Sequence, residues 1–360
     1  MVFIILSILF GAASLFAVVS PTPNWYIEAN VANTNYGSAV SDAGDVNGDG
    51  YDDLIVGASG YDNGQTNEGR ALLYLGSPTG LLTTPAWTVE SNQASAFMGT
   101  EVSCAGDVNG DGYDDVFVAV PYYDNGETNE GIVYAYYGSA SGLSATPNWT
   151  KEVNQGEANF GYSVSNAGDI NNDGYDDVII GAPYFDNGHT DEGRVFVYYG
   201  SATGLDTIAA WQYESNQTSA DLGFAVSSAG DVNNDGYGDV LVGAFAFDNG
   251  NTNEGVAYVF HGSVSGLSAS PNWTGEANQD NAYYGLAVSN AGDVNSDGYD
   301  DIIVGAYGYD NGESDEGRAY VYHGSASGLS TTANWTAESN QANAHYGEAV
   351  GCAGDVNGNG

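Results

Sequence analysis

The sequence predicts an all-β protein, a β-propeller made of four-stranded antiparallel blades. A repeat of 62 residues governs the chain after residue 20. Each repeat contains four short strand-like runs separated by Gly, Asn and Asp. Long amphipathic helical stretches are missing, which disfavours parallel sheets joined by crossover helices. Four antiparallel strands per unit, with both sheet faces covered by neighbouring units, describe a propeller blade.

The repeat is defined by three columns of residues that recur in register. An array of equivalent units is expected at this period, because no single unit buries both of its faces alone. The columns are the Ala-Gly-Asp aspartates Asp45, Asp107, Asp169, Asp231, Asp293 and Asp355; the tryptophans Trp25, Trp87, Trp149, Trp211, Trp273 and Trp335; and the glycines Gly37, Gly99, Gly161, Gly223, Gly285 and Gly347.

Strand positions follow from the first copy, where the runs cover residues 37–43, 53–58, 70–75 and 87–90. The second run is apolar without alternation, as in LIVGA, so we expect a strand that is covered on both faces. Residues 21–360 hold five complete repeats and a truncated sixth. We therefore expect an incomplete fragment of a ring, in which the segment around Trp25 is a strand completing the last blade.

Composition limits the partners and the chemistry. With 47 acidic and 4 basic side chains, the formal charge is −43, which excludes nucleic acid and anionic lipid surfaces as partners. The hydrophobic fraction of 42% is enough for a sizeable core. Two Cys and four His provide neither a disulfide framework nor a zinc cluster. Oxygen ligands are what the chain has in excess.

Residues 1–20 are almost wholly apolar and predict a signal peptide or an N-terminal membrane anchor. Either reading places the propeller, residues 21–360, in an extracytoplasmic setting, secreted or at the cell surface. Membrane contact is expected only through such an anchor.

An acidic nonapeptide, DVNGDGYDD at residues 45–53, lies between the first and second runs of each repeat. Oxygen-bearing side chains occupy loop positions 1, 3, 5 and 9, and position 6 is Gly. This spacing suits Ca²⁺, which takes six to eight oxygen ligands, better than Mg²⁺, which keeps its waters. Five calcium sites are predicted, since a merely solvated acidic surface does not require acids in register with a glycine.

The first predicted site uses Asp45, Asn47, Asp49, the backbone carbonyl of Tyr51, and Asp53. Position 9 is the better ligand than position 8, because position 8 is Gly238 in the fourth copy. The sixth loop, from Asp355, is truncated and is not claimed as a site. The corresponding ligands of the other four loops are Asp107, Asn109, Asp111, Tyr113 and Asp115; Asp169, Asn171, Asp173, Tyr175 and Asp177; Asp231, Asn233, Asp235, Tyr237 and Asp239; and Asp293, Asn295, Asp297, Tyr299 and Asp301.

An EF-hand reading of the same loop fails. It needs a carboxylate at position 12, where the first copy has Val56, and the loop feeds a strand rather than a helix.

On these motifs the chain resembles the FG-GAP repeat family, the calcium-binding propellers of integrin α subunits and many microbial surface proteins. Phe160 and Gly161 give FG, and residues 181–183 spell GAP, with modest departures in other copies. The resemblance covers residues 21–360. It implies a seven-bladed ring and calcium ligation by the five sets above.

Antiparallel strands place the acidic loops and the GSxxGL connections on one face. The opposite face carries the YDNGxTNEG hairpins, residues 61–69 in the first copy, where Glu68 is expected to hold the turn. In family members that recognise ligands, this second face is the usual docking surface, so a protein or carbohydrate ligand is expected there. A varied column that precedes the FG-type glycine is a candidate for contact with that partner: Asn35, Phe97, Asn159, Asp221, Tyr283 and His345.

No catalytic site is predicted, because few residues break the symmetry of the repeat. His261 and His323 are interpreted as aromatic substitutes within a strand. A non-enzymatic binding or adhesion module is therefore the favoured function. The alternative is the non-catalytic propeller of a secreted hydrolase or lyase whose catalytic domain lies beyond residue 360. Glycosylation acceptor patterns begin at Asn148, Asn216, Asn272 and Asn334.

Overall fold

A computed structural model describes residues 25–29 and 31–354. In that part of the chain the structure is all-β, and five antiparallel sheets of four strands follow one another, as predicted. Strand order within every sheet follows the chain. No helix among the described residues is long and apolar enough to cross a membrane.

The strands agree with the predicted runs to within about one residue. The first blade contains β1 (Tyr36–Gly44), β2 (Asp53–Ala58), β3 (Arg70–Tyr74) and β4 (Trp87–Glu90). The second contains β5 (Glu101–Gly106), β6 (Asp115–Val120), β7 (Ile132–Tyr136) and β8 (Trp149–Glu152). The third contains β9 (Ser163–Gly168), β10 (Asp177–Ala182), β11 (Arg194–Tyr198) and β12 (Trp211–Glu214). The fourth contains β13 (Ala225–Gly230), β14 (Asp239–Ala244), β15 (Val256–Phe260) and β16 (Trp273–Glu276). The fifth contains β17 (Tyr284–Gly292), β18 (Asp301–Ala306), β19 (Arg318–Tyr322) and β20 (Trp335–Glu338).

The second strand of each blade lies in the core. In β6, β10 and β14 every residue is buried, which confirms the expectation from their unbroken apolar runs. The first strands of consecutive blades pack against one another, from β1 to β5 and onward to β17. The first strand is therefore the innermost strand of each blade.

Glycines of the FG and GAP motifs meet between blades. A Cβ on Gly57, in β2, would lie 1.9 Å from the carbonyl oxygen of Gly99, which precedes β5. Where the second blade has Ala119 instead, a Cβ on the facing Gly161 would lie 3.2 Å from the Ala119 Cβ. Glycine at these positions lets the second strand of one blade closely approach the segment that leads into the first strand of the next blade.

Tryptophan links each blade to the next. The Trp87 indole N–H donates to the carbonyl of Ser144 over 2.9 Å, and its ring meets Tyr136 edge-on with centroids 4.7 Å apart. Trp25 docks in the same way on Tyr74 of the first blade, at 5.6 Å. Residues 25–29 are not paired into a sheet among the described residues, and the strand expected here to complete the last blade stays a prediction.

Five blades are described, and the seven-bladed count stays a prediction. The signal or anchor segment 1–20 and the truncated loop 355–360 lie outside the described residues.

Candidate metal centres

Each predicted calcium loop joins the first and second strands of one blade. In the first blade it follows Gly44 and ends at Asp53, the first residue of β2. The N–H of Gly76, which follows β3, donates to Asp53 Oδ1 over 2.8 Å. The acidic loops and the connections after the third strands therefore share one surface, which we call the loop face.

The aspartate at position 1 organises the loop. Asp45 Oδ1 accepts the N–H of Asp49 over 3.0 Å, and its Oδ2 accepts that of Gly50 over 2.7 Å. Equivalent bonds recur in the other four loops. Position 6 is glycine because its φ is positive, +86° at Gly50.

Positions 3 and 5 curl the chain inward. Asn47 Oδ1 accepts the N–H of Asp49 over 2.8 Å, and Asp49 Oδ1 accepts that of Tyr51 over 3.1 Å. In the third loop the Asn171 Oδ1 is buried and has no hydrogen-bond partner among the described residues. An orphaned oxygen at a predicted ligand position is what a bound cation would satisfy.

The aspartate at position 9 is buried in all five blades, with an exposed fraction of 0–2%. Asp177 Oδ2 accepts the N–H of Ile170 over 2.9 Å, and its Oδ1 accepts that of Gly200, also over 2.9 Å. This carboxylate fastens the loop to the connection after the third strand. Each of its oxygens keeps a second lone-pair direction that a cation can use.

Carboxylates at positions 1, 5 and 9 repel one another. Burial, together with the charges of Asp169 and Asp173, raises the pKa of Asp177 to about 8. Burial, together with the carboxylates at positions 1 and 5 of the same loop, raises the pKa of Asp53 to about 6 and that of Asp239 to about 7. A divalent cation would offset this repulsion, so the donor chemistry fits Ca²⁺.

The ligand sets themselves stay a prediction. Side-chain oxygens of the loops are turned toward backbone N–H groups, and no three carboxylate, imidazole or thiol groups in the described ranges are gathered as a metal cluster. If calcium binds, positions 1, 3, 5 and 9 and the carbonyl of position 7 would hold it.

Two loop positions have a role that the sequence did not reveal. Position 8 bridges blades: Asp114 Oδ2 accepts the N–H of Asp45 in the preceding blade over 2.8 Å. Position 7 covers the neighbouring loop, since a Cβ on Gly48 would lie 2.6 Å from the ring of Tyr113. Comparison of copies alone could not show that these side chains reach another repeat.

His261 is not simply an aromatic substitute in a strand. It follows β15, and its Nδ1 lies 3.2 Å from the Nδ2 of Asn233, a predicted ligand of the fourth loop. Burial lowers the pKa of His261. The column therefore borders the calcium loop in that blade.

The opposite surface, formed by the hairpins between second and third strands, is called the hairpin face. Glu68 is fully buried there and accepts the N–H of Asn63, which confirms that it holds the turn. Adjacent hairpins are joined by a glutamine. Gln155 donates to the carbonyl of Asp186 over 2.8 Å and accepts its N–H over 2.6 Å.

Seven half-buried rings make a continuous aromatic belt along the hairpin face. Successive centroids lie 4.6–6.1 Å apart. Acidic groups border the belt, with Asp221 beside Tyr162 and with Asp315 and Glu348 beside Tyr307. Two residues of the varied column, Tyr283 and His345, belong to it. In order, the belt is Tyr184, Tyr162, Phe224, Phe245, Tyr283, Tyr307 and His345.

Known proteins share this repeat. Integrin alpha-5 of Xenopus laevis is 30% identical over 246 residues, which cover 66% of this chain and 22% of that protein. Integrin alpha pat-2 of Caenorhabditis briggsae is 32% identical over 60% of this chain and 19% of its own length. Phosphatidylinositol-glycan-specific phospholipase D of Bos taurus is 34% identical over 60% of this chain and 27% of its own length. The chain thus spans about a quarter or less of these relatives.

A solved structure, of BBS1N in complex with ARL6DN, covers 85% of this chain at 11% identity, but its TM-score of 0.38 is too low to support a conclusion. The FG-GAP repeat model matches residues 37–74, 100–136, 160–198, 222–260 and 284–322, more than half of the sequence. Each match runs from the first to the third strand of one blade and encloses the acidic loop. The chain belongs to the FG-GAP repeat family.

Proposed function

We propose that the chain is a non-enzymatic, extracytoplasmic binding module, in which calcium in the five acidic loops stabilises the blades and the hairpin face docks a protein partner. The observation that carries this proposal is the recurring loop geometry, in which the aspartate at position 1 accepts two backbone N–H groups and the aspartate at position 9 is buried in all five loops. Family membership and the similarity to integrin α chains support it.

Calcium contributes stability and order in this proposal. Folding places three carboxylates on each short loop at the edge of the core, and a divalent ion bound only by the folded chain stabilises it by linkage. Filling five loops would also reduce the negative charge of the chain, which is −43. Since no donor but oxygen is required, the chemistry favours a hard cation.

The partner we propose is a protein segment with an exposed Arg or Lys. Aromatic faces attract such cations, and Asp221, Asp315 and Glu348 place negative charge along the belt. The partner's charge also complements that of the chain. A neutral carbohydrate could stack on the same rings but would gain nothing from the acids.

A peptide-binding experiment tests the docking surface. We expect an arginine-containing fluorescent peptide to bind in millimolar calcium, more weakly at high salt, and at least about tenfold more weakly to Tyr283→Ala combined with Tyr307→Ala. Tyr26→Ala is the matched control, because Tyr26 is 78% exposed and lies off the belt. Equal binding by all three proteins, or binding of neutral oligosaccharides alone, would contradict the proposed partner.

The phospholipase D relative favours one second candidate, a propeller that accompanies a catalytic domain in a secreted hydrolase. The complete natural reading frame discriminates between the two: a separate domain with its own catalytic residues would favour the hydrolase.

A further inference from the structure

Loops of adjacent blades are joined by one recurring carboxylate. Asp114 Oδ2 accepts the N–H of Asp45 over 2.8 Å, while the N–H of Asp114 donates to the carbonyl oxygen of Asp45 over 3.3 Å. Both backbone groups of Asp45 are therefore held by a single residue of the next blade. The same carboxylate bond joins Asp176 to Asp107 over 2.9 Å and Asp300 to Asp231 over 2.8 Å.

The fold reserves room for this contact. A Cβ on Gly44, which precedes Asp45, would lie 2.3 Å from the Asp114 carboxylate. Gly106 faces Asp176 in the same way, at 2.1 Å. The glycine of the Ala-Gly-Asp triplet is thus needed for the approach of the neighbouring aspartate as well as for its positive φ, +65° at Gly44.

We propose that the aspartate at loop position 8 is a positioning residue for the calcium site of the preceding blade. This inference rests on the proposed calcium function. Asp45 is the residue whose carboxylate gathers the N–H groups of Asp49 and Gly50. Fixing its backbone from the next blade orders the first ligand before the cation arrives, and preorganised ligands bind more tightly.

The link is broken once, between the third and fourth blades. Gly238 occupies position 8 there and keeps only the backbone bond, from its N–H to the carbonyl of Asp169 over 2.9 Å. Among the described residues, Asp45, Asp107 and Asp231 each have a carboxylate contact from the next blade, whereas Asp169 is held by the backbone bond alone. Restoring a side chain at 238 offers a gain-of-function test.

The first experiment is a calcium titration of the full chain followed by NMR, with the amides of Gly50 and Gly112 reporting the first and second loops. Asp114→Ala is expected to raise the dissociation constant of the first loop about tenfold, since a backbone N–H loses a charged acceptor. Asp114→Asn retains an acceptor oxygen and should recover most of the affinity. The matched control is Asp52→Ala, which removes the same charge from an exposed position 8 that bonds no described residue.

The second experiment installs the missing clamp with Gly238→Asp and follows Gly174 of the third loop. A Cβ at 238 would lie 2.9 Å from the backbone carbonyl oxygen of Ala167, so the backbone must shift to admit a side chain, and Gly238→Ala measures the cost of that shift alone. We expect the third loop to bind calcium several-fold more tightly, and Gly238→Ala to give no gain.

A purely structural clamp would behave differently. If Asp114→Ala lowered the melting temperature equally with and without calcium and left the first-loop affinity unchanged, the positioning role would be overturned while calcium binding stood. If the unmodified chain bound no calcium, both this inference and the proposed function would fall.

Discussion

The two faces of the third blade bury one carboxylate each, and the two carboxylates differ in their hydrogen-bond partners and in the charges around them. On the loop face, Asp177 accepts two backbone N–H groups and lies beside the charges of Asp169 and Asp173. On the hairpin face, one oxygen of Glu192 accepts the N–H of Asn187, and the other has no hydrogen-bond partner among the described residues. Both side chains are fully buried. The loop face concentrates negative charge, which a cation would offset under the proposed function. On the hairpin face the acids are paired within the protein, as Glu214 is with Arg194 and Asn187.

Removing calcium is expected to give the largest difference in stability between the two faces. Chelation should lower the melting temperature by more than about 10 °C, because five linked sites each contribute about 1–2 kcal/mol at saturating calcium. Hydrogen exchange should increase first in the loops around Gly50 and its equivalents, and last in the hairpins. A melting curve that is the same in calcium and in chelator would contradict the dependence of the loop face on a cation.

Removing one buried carboxylate from each face sharpens the comparison. Asp177→Ala should cost about 3 kcal/mol or more in calcium, since two buried N–H groups lose their acceptor and the cation loses a ligand. The cost of Asp177→Ala should be smaller in chelator, because no cation loses a ligand there and the substitution also relieves the repulsion by Asp169 and Asp173. Glu192→Gln, which keeps an acceptor oxygen, should cost about 1 kcal/mol or less in either condition. Chemical denaturation of the three proteins with and without calcium measures both differences.

Hydrogen bonds between blades should also depend on calcium at the loop face and not at the hairpin face. Gln155→Ala removes two hydrogen bonds to the backbone of Asp186 and should cost about 1–2 kcal/mol regardless of calcium. Asp176→Ala removes the carboxylate from Asp107, and its cost should depend on calcium. Equal calcium dependence of the two variants, measured by urea unfolding, would erase the proposed distinction between the faces.

The smallest effect is expected at an exposed acid of the loop face. Asp52→Ala should change the free energy of unfolding by no more than about 0.5 kcal/mol, because no described residue bonds its side chain. A large loss measured in the same urea series would show that overall charge, rather than named contacts, governs the loop face.

Blade architecture could be predicted from the sequence because its signals are local and repeated. Turn residues at Asn63-Gly64, an unbroken apolar run before Ala58, and a fixed period specify four antiparallel strands almost to the residue. The strand expected around Trp25 stays a prediction, although its indole packs as the other tryptophans do. A recurring tryptophan reports docking on the next blade, and this docking does not require strand pairing.

Contacts between repeats were not accessible from the spacing within one repeat. Comparison of the copies ranks position 8 below position 9 as a ligand because Gly238 replaces it once, yet Asp114 bonds the neighbouring blade. The column of His261 predicts an aromatic substitute within a strand, whereas the structure places its imidazole beside Asn233. The aromatic belt contains residues of several columns, such as Phe224 and Phe245, so no single column of the repeat predicts it.

The most direct test of this account is the number of calcium ions bound per chain, measured by equilibrium dialysis and repeated on single variants of Asp49, Asp111, Asp173, Asp235 and Asp297 to Ala. The account predicts five ions for the unmodified protein and the loss of about one ion with each substitution. A chain that binds none, or whose bound calcium is unchanged by all five substitutions, would contradict the assignment of these loops as metal centres.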